Sequence, residues 1–229
     1  MNLPRAVRQV VDNAKSFGTT AALHDLQQRA VNRVMPFQIL KGMTAILPDI
    51  APKLFETGGF TARFAEPDEV LAHSTDEFEM SPEFAREALD KGDDCFAMFD
   101  GDRLASFGWY SNQPTLVADG LILHFDPSWV YMYKGYTHPD YRGKRLHGIG
   151  MSLALRAYTE RGSRGLISYV KSNNFQSLRS IERMGYRIFG DIYLARVLGK
   201  PVTWSTPGCK PYGFFLEMLA ARSTLDALS

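Results

Sequence analysis

The stretch Tyr131 to Leu155, YMYKGYTHPDYRGKRLHGIGMSLAL, decides the fold. An alternating apolar run stops at Pro139, passes through a basic turn containing Gly143, and resumes with Leu146, Ile149, Leu153 and Ala157 at helical spacing. This reads as strand, turn and helix. The first amides of a helix lack intrahelical acceptors and lie at the positive end of its dipole, so such a turn offers donors to an anion, a pyrophosphate among them. The turn is not a Walker loop, because no Gly-Lys-Ser/Thr follows a first glycine at the required spacing. Nor is it a GxGxxG fingerprint, since Gly148 and Gly150 stand alone.

Thr137, Pro139, Arg142 and Gly143 occupy the first four positions of V-x-P-x-x-R-G-x-G-x-G/A, and the segment thereby resembles the acetyl-CoA loop of the GNAT (Gcn5-related) N-acetyltransferases. Arg145 and His147 depart from it, standing where the family has glycine, or glycine and alanine. A second register, Arg145-Leu146-His147-Gly148-Ile149-Gly150, fits the family's Q/R-x-x-G-x-G/A rule but inserts three residues after the proline. The first register keeps the proline-to-arginine spacing and is preferred. A separate match follows at Asn174, Ser177, Leu178, Ile181, Gly185 and Tyr186, all at the spacings of the family's N-x-x-A/S motif and its G-F/Y ending. Family members often carry a tyrosine where this chain has Ile181, and that tyrosine protonates the departing CoA thiolate. The usual general acid is missing here.

The resemblance implies an α+β fold, a mixed α/β arrangement in which a central, mostly antiparallel sheet is splayed at its central strands and flanked by helices. It implies acetyl-CoA or another acyl-CoA as co-substrate, no metal, and a primary amine of a small molecule, amino sugar or protein as acceptor. Cofactor contacts carry over to Tyr136, Thr137, Arg142, Gly143, Lys144, Arg145, Leu146, His147, Gly148, Asn174 and Ser177. For proton handling the candidates are Tyr131 and Tyr133 on the central strand, with His124 just before it. Acyl carrier protein is an alternative donor, served by the basic cluster Arg142, Lys144 and Arg145. A catalytically silent domain that binds acyl-CoA is the other class, and Ile181 is the residue in its favour.

Composition bounds the rest. The 229 residues are 45% hydrophobic, enough for a full core, and 26 basic against 25 acidic residues leave a net charge of +1, no field for nucleic acid or an anionic membrane. Two cysteines, Cys95 and Cys209, form no disulfide framework or metal-ligand spacing, and with no signal peptide or membrane span in the sequence the expected compartment is the cytoplasm.

Residues 1–57 are expected to be a helical extension, with Val7, Val10, Val11 and Ala14, then Leu23, Leu26, Ala30 and Val34, as apolar faces. Thr19 or Thr20 is expected to cap the second helix, which packs on the core or on a second subunit of a homodimer, with His24 at the surface. Phe37 to Leu47 reads equally as strand or helix end. The acyltransferase domain is expected over 58–229, opening with the alternating FTARFA near Phe60, then helices at Pro67 and Ser81 and a hairpin turning at Asp100-Gly101. RIFGDIYLARVL and YGFFLEML are expected as the last strands, and residues 65–80, 110–128 and 200–213 as the walls of the acceptor pocket.

Overall fold

A computed structural model describes residues 16, 18–34, 36–118 and 120–219. The first expected helix, with Val7 to Ala14, lies outside them. Eight strands form one sheet in the order β10-β9-β1-β8-β7-β4-β3-β2. In chain order these are β1 (Phe37–Ala45), β2 (Thr61–Phe64), β3 (Asp94–Asp100), β4 (Arg103–Ser111), β7 (Trp129–Thr137), β8 (Gly165–Lys171), β9 (Arg187–Val197) and β10 (Lys200–Ser205). All neighbours are antiparallel except β7 and β8, which pair in parallel over Trp129–Tyr131 and Gly165–Ile167. A parallel pair needs a crossover, and the helix Leu146–Glu160 supplies it.

Local chemistry explains the edge elements. Pro67 opens the helix Pro67–Ala72, and Glu66 with Glu69 completes a reciprocal capping box. Ser81 accepts from the Phe84 amide and Pro82 opens the helix Pro82–Asp90. The β3-β4 hairpin turns at Gly101, whose φ of 59° is the left-handed value such a turn needs. In order, the helices are α1 (Thr19–Val34), α2 (Pro67–Ala72), α3 (Pro82–Asp90), α4 (Leu146–Glu160) and α5 (Phe175–Arg183).

The structure differs from the expectations at the N-terminal segment and adds a second sheet. β1 lies between β8 and β9 in the sheet, so residues 37–45 are part of the fold that the expected boundary at residue 57 would have divided. YGFFLEML supplies the last strand, as expected, but outside the large sheet. β11 (Phe215–Met218) pairs instead with β6 (Leu121–His124), which pairs with β5 (Thr115–Ala118), giving a second, three-stranded sheet. α1 begins at Thr19 itself, with Gly18 before it, and Leu23 and Leu26 are 55% and 53% exposed while Ala22 is buried. His24, expected at the surface, is half-buried with Nε2 3.1 Å from the Ser172 hydroxyl.

The core lies on both faces of the large sheet. On one, α4 buries Leu146 and Ile149 as expected, and Met151, Ala154, Leu155 and Tyr158 besides. Its outer side is covered by the short turns Leu47–Asp49 and Pro52–Phe55, so a one-sided apolar face is not required of it. On the other, the small sheet packs Leu121, Leu123 and Leu216 against Leu40, Tyr131, Ile167 and Ile192, while α2 and α3 cover β3 and β4. Among the described residues no helix is long and apolar enough to cross a membrane.

The turn after α5 depends on Gly185. Its φ is 85°, and a Cβ there would lie 2.5 Å from the Asp49 carbonyl oxygen. Gly185→Ala is expected to cost about 2 kcal/mol or more from the left-handed backbone and the carbonyl approach, lowering Tm by roughly 4 °C or more. Gly162→Ala shares the sign of φ (96°) but meets nothing within 4 Å, so it should cost less. Thermal denaturation of the two variants side by side checks the ranking.

Candidate active site

β7 and β8 stay together for three residue pairs and then part. Lys134 pairs with Trp109 and Met132 with Tyr110, which leaves Tyr133 as an extra residue, a bulge on β7. The bulge turns both Tyr133 and Lys134 toward Phe84 of α3, while Gly135 faces α4. Where the strands separate, the Ser168 hydroxyl donates to the Met132 carbonyl at 2.7 Å, closing the fork with a side chain where a ladder bond would be. Beyond it opens a slot of about 360 Å³, lined by β7, β8, the start of α4 and the inner face of α5.

The loop at the slot's mouth is held from behind. His138 accepts from the Asp140 amide and meets Glu77 at 2.9 Å, and Tyr141 is buried and donates to Asp100 at 3.0 Å. Gly143 then has φ 85° and Arg145 φ 61°. The second is the rarer, since a left-handed backbone costs a residue with a side chain roughly 1–2 kcal/mol. It explains why glycine suits the position. Gly148 and Gly150 serve packing instead. A Cβ at Gly148 would lie 3.2 Å from Met184 Sδ, and one at Gly150 3.3 Å from Met98 Sδ.

Leu146 is the first residue of α4, and Ile149 is the first whose amide reaches back, to the Arg145 carbonyl at 3.1 Å. Among the described residues no acceptor partners the amides of Gly143, Arg145, Leu146, His147 and Gly148. Five donors at a helix start are thus left for a ligand or solvent. Arg145 also borders a second cavity, of about 470 Å³, with Lys53 and Arg183. Those two cations were not foreseen: Lys53 comes from a turn far back in the chain, and Arg183 precedes Gly185 at the end of α5. Of the expected basic cluster, Lys144 lies over the Tyr141 ring at 5.0 Å, and Arg142 turns back so that Nε stands 3.4 Å from the Thr137 carbonyl.

His147 lines the slot with its ring against Gly135, where a Cβ would come within 2.6 Å of Cε1. Burial holds its imidazole below the usual histidine range. Asn174 and Ser177 also line the slot, and Asn174 caps α5 by accepting from the Ser177 amide at 3.1 Å. The side chains of Tyr136 and Thr137 turn toward the other partners of β7. Tyr136 donates to the Glu77 carbonyl at 2.7 Å, and Thr137 Oγ1 is 2.9 Å from Ser106 Oγ. Ile181 fills the inner end of the slot beside Met184 and Tyr186.

The three candidates for proton handling separate. Tyr133 lines the slot, and its hydroxyl donates to Asp93 at 2.7 Å, an acid the sequence reading did not single out. Tyr131 does not line it; it is 2% exposed, stacked on Tyr133 and tilted against Phe125 with centroids 5.7 and 5.6 Å away. His124 stands on the small sheet, stacked on Phe215 with Nε2 2.7 Å from Glu217.

The sequence model of the Acetyltransferase (GNAT) family matches residues 61–186, more than half of the 229. The chain belongs to this family. No curated protein matches it. Among solved structures, a putative GNAT acetyltransferase from Novosphingobium aromaticivorans is 16% identical with a TM-score of 0.48, over 80% of this chain and 65% of that one. A GNAT acetyltransferase from Colwellia psychrerythraea is 11% identical with a TM-score of 0.49, over 74% and 60%. The putative acetyltransferase YncA from Salmonella typhimurium, solved with its cofactor acetyl-CoA, is 15% identical with a TM-score of 0.42, over 74% and 99%. The chain spans 65% and 60% of the first two of these proteins, less than two thirds of their length.

In this GNAT domain the neutral state of His147 is a stability statement. A histidine whose folded value is depressed leaves the folded state with fewer protons than the unfolded one, so stability rises with pH across that interval. The contribution is present above the ordinary value of about 6.5 and is lost as pH falls from there through the folded value. Between pH 7.5 and 5, the stability of the wild-type protein is expected to fall relative to His147→Gln. Denaturant unfolding of both proteins across that range checks it, and parallel curves would show that the imidazole is not held neutral by the fold.

Proposed function

We propose that the chain is an N-acyltransferase that moves an acetyl or longer acyl group from acyl-CoA to a primary amine. The observation that carries this reading is the continuity of slot and loop: a cleft between parting strands reaches His147, one of five residues of the loop and helix start whose amides have no partner among the described residues.

The parts fit the chemistry of the substrate. A pyrophosphate needs converging donors, and the amides of Gly143 and Arg145 to Gly148 provide them at the positive end of α4. Lys53, Arg145 and Arg183 border the neighbouring cavity, suited to the further phosphate of CoA. The pantetheine arm is read as lying along the edge of β7 near Tyr136 and Thr137, where no strand pairs on the β8 side beyond Tyr131. Asn174 and Ser177 stand across the slot from that edge. The thioester then comes to the bulge, beside Tyr133, the one tyrosine of the expected pair that lines the slot.

Transfer requires an amine free of its proton, polarisation of the thioester carbonyl, and a proton for the leaving thiolate. Backbone amides at the bulge suit the second need. Tyr133 stands where the first is met. For the third, Ile181 offers no proton, and solvent supplies it. Exposed Arg142 and Lys144 beside the loop would serve the phosphopantetheine of an acyl carrier protein as well, and the same assay with that donor decides between them.

Two outcomes test the reading. Acetyl-CoA at a hundred times its dissociation constant is expected to add about 2.7 kcal/mol, raising Tm by about 5 °C or more; no shift with acetyl-CoA or CoA at saturating concentration would sink the assignment. Gly143→Val is expected to weaken CoA binding more than Arg142→Ala. Nothing lies within 4 Å of a Cβ at Gly143, so the valine is penalised through φ at the turn and not through packing. Calorimetric titration of both folded variants reads the difference, and equal or reversed losses would show that side-chain charge holds the pyrophosphate.

A further inference from the structure

Behind Tyr133 lies a buried ionic group that the family resemblance does not account for. Asp93, in the turn between α3 and β3, has a side chain only 1% exposed. Its Oδ2 accepts from the Tyr133 hydroxyl at 2.7 Å and lies 2.9 Å from Lys91 Nζ. Its Oδ1 is buried with no hydrogen-bond partner among the described residues. Lys91 in turn donates to Ser111 Oγ at 3.2 Å and Thr115 Oγ1 at 2.9 Å, so all three of its N–H groups have acceptors.

A phenol has one proton, and here it points at a carboxylate. What Tyr133 has left for anything in the slot is a lone pair, so it meets an incoming amine as an acceptor and cannot at the same time donate to a thiolate. The ammonium of Lys91, fully engaged, holds the Asp93 carboxyl group in place. The arrangement therefore belongs to the proton-withdrawing side of an acyl transfer.

We propose that Asp93 is a positioning residue acting through Tyr133: it takes the phenol proton, fixes the hydroxyl as an acceptor toward the slot, and draws the proton of the attacking amine into the protein. This rests on the N-acyltransferase reading and names how its base works. As the amine nitrogen bonds to the thioester carbon, its N–H bond breaks and an O–H bond forms on Tyr133. The phenol's original O–H bond breaks as one forms on Asp93 Oδ2. Collapse breaks the C–S bond, the electron pair leaves on sulfur, and the thiolate takes a proton from solvent. Asp93 returns its proton through Tyr133 to solvent. The sum is amine plus thioester giving amide plus thiol.

The test measures thiol release from acetyl-CoA with a panel of primary amines, followed by kcat and KM for the best amine and the Kd of CoA, in the wild-type protein and four variants. Tyr133→Phe leaves the Lys91–Asp93 pair intact and is expected to lower kcat by about 10²-fold while CoA affinity changes less than about twofold. Asp93→Asn is expected to do the same, because an amide can donate to the phenol and reverse its polarity. The double variant should lose no more than either single one, and Asp93→Glu should recover part of the turnover, which a merely structural role would not require. If Asp93→Asn does not fold with Lys91 left uncompensated, Lys91→Met/Asp93→Asn removes both charges and gives the same reading. Either single variant keeping more than about half of wild-type kcat, or losses that multiply in the double variant, would overturn the relay and leave the activity standing. Wild-type protein that binds CoA yet releases no thiol with any amine would overturn the activity, and the relay with it.

Discussion

Everything that distinguishes this sheet depends on one short parallel pairing, Trp129–Tyr131 against Gly165–Ile167. Antiparallel ladders on either side keep β7 and β8 in place, but the ladder between the two strands runs over only those residues, with the Ser168 hydroxyl bonded to the Met132 carbonyl just beyond. Because the pairing is parallel, the connection must be a crossover, and the crossover puts the start of α4 over the open end of the fork. The loop that presents its amides there follows from the same constraint. Ser168 marks where pairing ends, and the bulge at Tyr133 marks where β7 turns away.

The loop and the slot illustrate two ways in which one residue type is used. Gly143 and the left-handed Arg145 shape a turn, whereas Gly148 and Gly150 let α4 approach Met184 and Met98. From sequence, all are small or basic residues around a helix start. Backbone angle separates them, since only a turn residue needs positive φ. The strain at Arg145 also puts a guanidinium at the border of the basic cavity, where a glycine would offer nothing.

The loop was legible because its chemistry is local: a proline, a turn and a helix start within ten or so residues are set by neighbours in the chain. Asn174 and Ser177 were singled out by the family motif, and the structure gives their spacing a local reason, one capping the other's amide. Tyr131 and Tyr133 share parity and were indistinguishable; the bulge leaves one in the core and the other in the slot. Asp93 was invisible because it adjoins Asp94, and nothing local says which is buried. Asp94 meets Tyr158 and Arg161 near the surface while Asp93 lies under Tyr133. β1 was ambiguous because its partners are found more than a hundred residues later, at Leu166–Lys171 and Arg187–Ala195.

The position of β1 reaches beyond the finished structure into how the chain comes to be folded. β1 precedes both of its neighbours in the chain and cannot pair until β8 and β9 have followed. Until then its Ile39, Leu40 and Met43 and its unpaired backbone are open to other chains, at the stage when nascent polypeptides are most prone to associate. Closing loops of that length before any contact rewards them slows folding. β8, one wall of the slot, thus depends for its outer neighbour on a pairing that spans more than a hundred residues of chain.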